Sequence, residues 1–334
     1  MSIRGGLGRR GWLAIAAVIL VLLAALAFGL ARGRGGAGHA GGSLTVGDQR
    51  GGVQALLQAA GELDDVPYHV EWALFPAASP LLEALGSGAV DVGGIGGPPF
   101  AFAYAGGARI KVVFAYRSLA GHGSAASALI VRRDSPLRTW ADVKGRKIAT
   151  VRGSAGQDLA LQLLEKHGLT HKDVKWVYLN NGEAKAALDT RAVDLWATWG
   201  SYVGTALINA HDRAFADARE LPAQAGFYAA SDKAIANKRA IIQDFVQRLA
   251  RARKWALSHK AEYAAVLAKE TGLPLDVATF TVTQQQTAAV PIDPSIQEEQ
   301  RAILERYRRA GLIDRVPDLD GAFDPSFSAF LAPR

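Results

Sequence analysis

Ala89-Val90-Asp91-Val92-Gly93 and Ala192-Val193-Asp194-Leu195-Trp196 stand 103 positions apart in the chain. Two further pairs keep nearly that distance and the same order: Arg50-Gly51 with Arg152-Gly153 at 102, and Val70-x-Trp72 with Val174-x-Trp176 at 104. Chance explains one such match easily, whereas three at nearly one offset point to two similar lobes. The period is too long for a solenoid and occurs twice, so it marks paired domains rather than an array.

Each copy alternates short β-rich runs with helical ones, the pattern of an α/β fold. Strands are predicted at 43–46, 70–74 and 89–92, with helices at 53–63 and 80–85 between them. The second copy repeats that order, with strands at 148–151, 174–179 and 193–196 and helices at 158–167 and 183–188. Ligands of α/β lobes bind beside the carboxyl ends of the strands, so two facing lobes enclose a cleft. The segment 128–131 is expected to cross between lobes and 226–230 to return. From 238 to 310 the chain turns helical: Ile242, Phe245, Leu249, Ala252 and Ala256 recur at three or four residues, and Ser295-x-x-Glu298 reads as a capping box. These helices are expected on the first lobe. The expected division is a leader at 1–42, one lobe from 43–127 with 226–334, and the other from 128–225.

Composition narrows the chemistry. The chain has 334 residues, 49% of them hydrophobic, and no cysteine. It therefore has no thiol nucleophile, thiolate metal ligand or disulfide. The net charge of +7 is concentrated at one end: residues 1–40 hold five arginines and no acid, leaving 33 basic and 31 acidic groups elsewhere. A nucleic-acid footprint needs a clustered basic face, and a near-neutral globular part argues against a nucleic-acid partner.

Arg4, Arg9 and Arg10 precede an uncharged stretch at 12–31, and a Gly-rich segment follows as far as Gly42. Basic start, apolar middle and small-residue exit are the plan of an export signal, with Gly38-His39-Ala40 as a cleavage site. Twenty apolar residues are also enough to span a bilayer, so an anchor in the inner membrane is the alternative. Either way the globular part lies outside the cytoplasm, because flanking arginines tend to stay inside.

Gln49-Arg50-Gly51-Gly52 joins the first strand to the first helix, and Gly153-Ser154-Ala155-Gly156-Gln157 occupies the equivalent place in the second copy. Amides at a helix start, backed by its partial positive charge, bind anions. The same residues also suit ordinary βα turns. Gly93 to Pro99, which includes Gly96 and Gly97, either lets a ligand approach the backbone or makes a plain tight turn. In the second copy its place is taken by Asp194 to Tyr202, where Trp196, Trp199 and Tyr202 are spaced by three. A helical start brings them onto one face, to line a pocket or to fill the core. Pro76 and Ala77 close the second strand and offer another wall.

The search for an enzyme is mostly negative. Seven histidines are scattered, and neither His-Glu-x-x-His nor Gly-x-Ser-x-Gly occurs. Asp91 and Asp194 occupy equivalent places in separate lobes, which favours structural roles at strand starts over a catalytic pair.

Taken in order, several short segments resemble the periplasmic substrate-binding proteins of sulfonate, nitrate and taurine ABC importers, most of all the aliphatic-sulfonate binders. They are Val46-Gly47-Asp48-Gln49-Arg50-Gly51, Phe75-Pro76-Ala77, Ala89-Val90-Asp91-Val92-Gly93 with Pro98-Pro99, Ala141-Asp142-Val143-Lys144-Gly145, Val151-Arg152-Gly153-Ser154, Val193-Asp194-Leu195-Trp196-Ala197 with Trp199, and Gly226-Phe227-Tyr228. The resemblance implies a two-lobed periplasmic-binding-protein fold of type II, the Venus flytrap, holding a small oxyanion against Gln49, the Ser154 loop and Trp199, with Phe227 and Tyr228 nearby. It implies an ABC permease and its ATPase as partners, a monomer, and no cofactor or metal. Two departures bear on the ligand: Ile95 and Gly97 stand where such binders often carry a hydroxyl and an acid, and Gly200 stands where an acid often follows the tryptophan. Taurine's ammonium then lacks a carboxylate, and an alkyl or aryl sulfonate or a sulfate ester fits better. A nitrate or taurine binder is the alternative. An enzyme on the same fold is a weaker one, since the related desulfinases use a cysteine that this chain lacks. The effector-binding half of a transcription regulator would need a helix-turn-helix where this chain has its apolar leader.

The break in composition near Gly42 makes a direct prediction. A chain beginning there is expected to be soluble and to keep its helical circular dichroism; insolubility or loss of that signal would make residues 1–40 part of the fold.

Overall fold

Strand pairing reproduces the repeat. In the computed structural model, which describes residues 41–331, the first sheet contains β1 (Ser43–Gln49), β2 (His69–Phe75), β3 (Val92–Gly96), β4 (Ile110–Ser118), β10 (Gly226–Ser231) and β11 (Thr287–Val290). Its order is β11-β4-β10-β3-β1-β2. The second contains β5 (Ser127–Val131), β6 (Lys147–Thr150), β7 (Lys175–Tyr178), β8 (Leu195–Trp199) and β9 (Arg213–Asp217), in the order β7-β6-β8-β5-β9. β1 lies parallel to β3 with Val46 opposite Val92, and β6 lies parallel to β8 with Ile148 opposite Leu195. Repeat-equivalent residues thus meet in equivalent registers.

The helices between these strands are α1 (Gly52–Ala59), α2 (Ala78–Gly86), α3 (Gly97–Ala105), α4 (Ala155–Lys166), α5 (Asn181–Asp189) and α6 (Ser201–Gly204). Four more follow: α7 (Asp232–Ala256), α8 (Lys260–Thr271), α9 (Leu275–Gln284) and α10 (Pro294–Arg309). This is the α/β, two-sheet architecture that the repeat predicts. Residues 44–66 and 70–331 belong to one compact unit, while residues 41–43 and 67–69 cluster apart, where the His69 amide donates to the Gly42 carbonyl at 2.9 Å. The expected leader falls outside the described residues except at its last two positions, 41 and 42. Among the described residues no helix is long and apolar enough to cross a membrane.

Three sequence expectations shift. Both third strands begin later than predicted, at Val92 and Leu195, because the preceding aspartates act as clips. Asp91 accepts the Thr45 amide at 2.8 Å and Asp194 accepts the Lys147 amide at 2.9 Å, tying the end of each αβ turn to the start of the neighbouring strand. The segments expected to cross between lobes are central strands: β5 runs antiparallel between β8 and β9, and β10 runs antiparallel between β3 and β4. The passages between sheets lie just before them, at 119–126 and 221–225. Finally, α10 is capped by Asp293, which accepts the Ser295 amide, with Pro294 at the first helical position in place of the expected box.

The core follows the sheets. Phe100, Phe227, Phe323 and Tyr307 fill the space between the first sheet, α3 and α10. Leu129, Ile148, Leu163 and Leu195 pack on one face of the second sheet, and Ile130, Ala149 and Trp196 on the other. The last helices pack mainly on the first sheet's side, α8 against α1 and α10 against α3. Two also reach the second. α9 meets α6, and Arg306 on α10 donates to Asp158 on α4 at 2.6 Å.

Asp158 is fully buried and also accepts from Gln162 and Gln224. Removing one partner of a buried pair costs about 3–5 kcal/mol, because the other charge is left without compensation. Asp158→Ala is therefore expected to lower the denaturant midpoint sharply, and Asp158→Ala with Arg306→Met is expected to recover part of the loss. Equal stability of Asp158→Ala and wild type would show that the pair contributes nothing.

Candidate functional site

A cleft of about 430 Å³ opens beside the carboxyl ends of β1, β3 and β8, where α/β folds bind ligands. It brings together twelve of the residues predicted to bind: Gln49, Arg50 and Gly52; Pro76 and Ala77; Gly96 and Gly97; Ser154 and Ala155; Trp199 and Tyr202; and Tyr228. Residues of both sheets contribute, as does the passage at 221–225.

Six predicted residues do not reach the cleft. Gly51 is the buried N-cap of α1. Gly153 lies under the Phe102 ring, and a Cβ at Gly156 would stand 2.5 Å from the Ala197 carbonyl oxygen, so that glycine serves helix-to-strand packing. Gln157 is buried, with its side-chain oxygen on the Gly153 amide and its nitrogen on the Tyr178 hydroxyl. Trp196 and Trp199 do not share a face, because they lie on a strand rather than a helical start and odd spacing sends them to opposite sides. Trp196 is in the core, donating to Asn181, while Trp199 is partly exposed in the cleft. Phe227 and Tyr228 are divided by the same alternation, Phe227 facing the core of the first sheet.

The helix starts expected to bind an anion hold internal acceptors instead. Asp48 is fully buried and accepts the amides of Val53 and Gln54 at 2.8–3.1 Å. Burial pushes its carboxyl up, against the pull of those N–H groups. At α4, the Ser154 hydroxyl accepts the Gln157 amide at 3.2 Å and is the helix cap. At α1 a carboxylate of the chain thus takes the position where a ligand oxyanion was expected, while at α4 the cap engages the Gln157 amide alone.

Three arginines supply the positive charge of the lining. The Arg50 guanidinium lies 4.3 Å from the centre of the Tyr202 ring, and the Tyr202 hydroxyl donates to the Pro76 carbonyl at 3.5 Å. Arg117 is paired with Glu299 at 2.8 Å. Arg253, from α7, lies 3.5 Å above the Tyr116 ring and donates to the Thr287 hydroxyl at 2.7 Å. Burial pushes the nearby Tyr228 and Tyr263 hydroxyls up, Tyr263 to about 12, so both stay neutral. Asp48 is the one acid in the lining among the described residues.

Sequence reasoning missed Tyr116, Arg117, Arg253 and Tyr263, which lie outside the repeated loops. A signal for Arg253 was present: it stands four residues after Leu249 and three before Ala256, and so shares the inner face of the helix with them.

Comparison with known proteins agrees with this architecture. A family model described as NMT1/THI5 like matches residues 74–263. A putative aliphatic sulfonates-binding protein of Escherichia coli (strain K12) is 30% identical over 281 residues, covering 83% of this chain and 87% of that one. The alkanesulfonate-binding protein from Xanthomonas axonopodis pv. citri bound to MOPS superposes with a TM-score of 0.77 at 28% identity, over 84% of this chain and 98% of that one. The periplasmic aliphatic sulphonate binding protein from Escherichia coli gives a TM-score of 0.73, also at 28% identity, over 85% of this chain and 92% of that one. A desulfurization enzyme shares the fold at 18% identity, with a TM-score of 0.59 over 85% of this chain and 97% of that one.

Because the Ser154 oxygen accepts the Gln157 amide as the helix cap, Ser154→Ala is expected to cost about 0.5–2 kcal/mol of stability. Thermal unfolding reads that loss, and an unchanged midpoint would leave the hydroxyl available for a ligand.

Proposed function

The chain belongs to the NMT1/THI5-like family, and from that premise we propose that it is the extracytoplasmic solute-binding component of an ABC importer. Its ligand is a small organic oxyanion, an alkyl or aryl sulfonate or a sulfate ester. The observation that carries the reading is the likeness to an aliphatic sulfonates-binding protein over 87% of that protein's length. The cleft supports it independently, with three arginines and one engaged acid in its lining.

Residues 43–127 with 226–334 form one closing lobe and 128–225 the other, moving about the passages at 119–126 and 221–225. The protein works as a monomer in the periplasm, exported through its N-terminal segment or anchored by residues 12–31, and delivers its ligand to a membrane permease driven by an ATPase. It carries out no reaction of its own. The desulfurization enzyme that shares the fold is too distant to argue otherwise.

Trp199 offers an apolar wall for the organic part of the ligand. Ile95, Gly97 and Gly200 all border the cleft without adding a carboxylate, so an ammonium group there finds no partner and its burial is costly. Each buried methylene gains about 0.8 kcal/mol, and hexanesulfonate is therefore expected to bind more tightly than taurine or nitrate in calorimetry. Trp199→Ala should weaken hexanesulfonate and barely change a bare inorganic anion. Tighter binding of taurine, or of nitrate with no organic ligand, would reject this reading.

A further inference from the structure

Of the three cleft arginines, Arg50 and Arg253 form no ion pair among the described residues, and Arg253 is the one recessed enough for its Nε to be buried. Arg117 has Glu299, and Arg50 is stacked on Tyr202 where Pro76 also contacts that ring's hydroxyl. Among the described residues no ion pair involves Arg253; its Nη1 donates to the neutral Thr287 hydroxyl and its Nε has no partner. The environment is otherwise aromatic: Tyr116 at 3.5 Å and Tyr228 at 5.8 Å from the guanidinium carbon. Gly226 makes this bed possible, since a Cβ there would stand 2.2 Å from the Tyr116 ring. Burial opposes the charge of this guanidinium, but its tyrosine neighbours, Tyr228 by a hydrogen bond as well, outweigh that and keep it protonated. Its planar fork of N–H donors matches two oxygens of a sulfonate or sulfate at once.

We infer that Arg253 is the charge partner of the ligand, receiving the sulfonate or sulfate oxygens while Tyr116 and Tyr228 hold the guanidinium in place. The inference rests on the sulfonate reading above and places its anion on α7 rather than at the α1 start, which Asp48 occupies. The organic tail then runs from this arginine along the cleft to the apolar wall.

Calorimetry with hexanesulfonate on wild type, Arg253→Lys and Arg253→Gln tests this, with thermal unfolding of each in the absence of ligand. Losing a hydrogen bond to a charged group corresponds to about a 10- to 150-fold loss of affinity, expected for Arg253→Gln. Arg253→Lys should fall between, since it keeps the charge and loses the fork. An affinity loss measured on Arg253→Gln protein that remains folded assigns the loss to the missing charge, whereas a merely structural arginine would lower the unfolding temperature and leave the affinity of the folded protein unchanged. Affinity of Arg253→Gln within about twofold of wild type overturns the inference while the sulfonate reading stands. Should Arg253→Gln not fold, the structural explanation prevails unless Arg253→Lys folds normally and binds at least about tenfold more weakly. Wild type that binds no sulfonate overturns the sulfonate reading, and this inference with it.

Discussion

One carboxylate per half of the chain sets the depth of the cleft. Asp91 and Asp194 each accept the amide that starts the neighbouring parallel strand, and each returns a backbone bond from its own amide to the carbonyl of that residue, Thr45 or Lys147. A strand clipped at its beginning has a determined end. β3 therefore delivers Gly94 to Gly96 to the cleft, and β8 delivers Trp199. A slip of one residue would send every side chain to the other face, putting Trp196 in the cleft and Trp199 in the core.

This is also why so much of the fold was legible. Ala89-Val90-Asp91 recurs as Ala192-Val193-Asp194 because its aspartate performs a backbone task that the second copy repeats. Patterns tied to backbone geometry survive in a single sequence. What the repeat could not convey is the role of β5 and β10, which have no counterpart inside the copies: each is the antiparallel strand by which the chain enters a sheet, and continuous apolar runs at 128–131 and 226–230 suit a buried central strand as well as a passage. Site residues were legible wherever they sat at strand ends. They were misread where a helical period was assumed for a strand, as at Trp196, and missed on α7, where Arg253 shares the inner face of the helix with Leu249 and Ala256.

The electrostatics make a more general point. A helix start is a site for negative charge, but the chain itself has first claim on it. Asp48 fills the start of α1 from the strand immediately before it, and Ser154 caps α4. At α1 the local acceptor is already tethered beside the amides, so an external anion would have to displace it. A guanidinium carried by a distant helix is under no such competition, because its neighbours are phenol rings and a hydroxyl.

The C-terminal helices therefore belong to the binding apparatus rather than to an appendage of one sheet. Glu299 on α10 accepts the Ala225 amide and pairs with Arg117, which donates in turn to the Ala223 carbonyl, and Gln224 between them donates to Asp158. Three consecutive residues of the passage at 221–225 are thus tied to side chains. The other passage is stitched to it through the Gly123 amide on the Leu221 carbonyl and the Ala223 amide on the Gly121 carbonyl, and it is held by Gln284 and Gln286 through Ser124 and Leu119. Opening and closing of a cleft needs large backbone rotation at only a few residues. With the two passages bonded to each other, rotation at one is coupled to the other, and α10 and the end of α9 hold both. Arg253 and Thr287 sit on this same C-terminal layer. The recessed cleft arginine and the side chains that hold the passages are consequently carried by one continuous stretch of chain that the internal repeat does not contain.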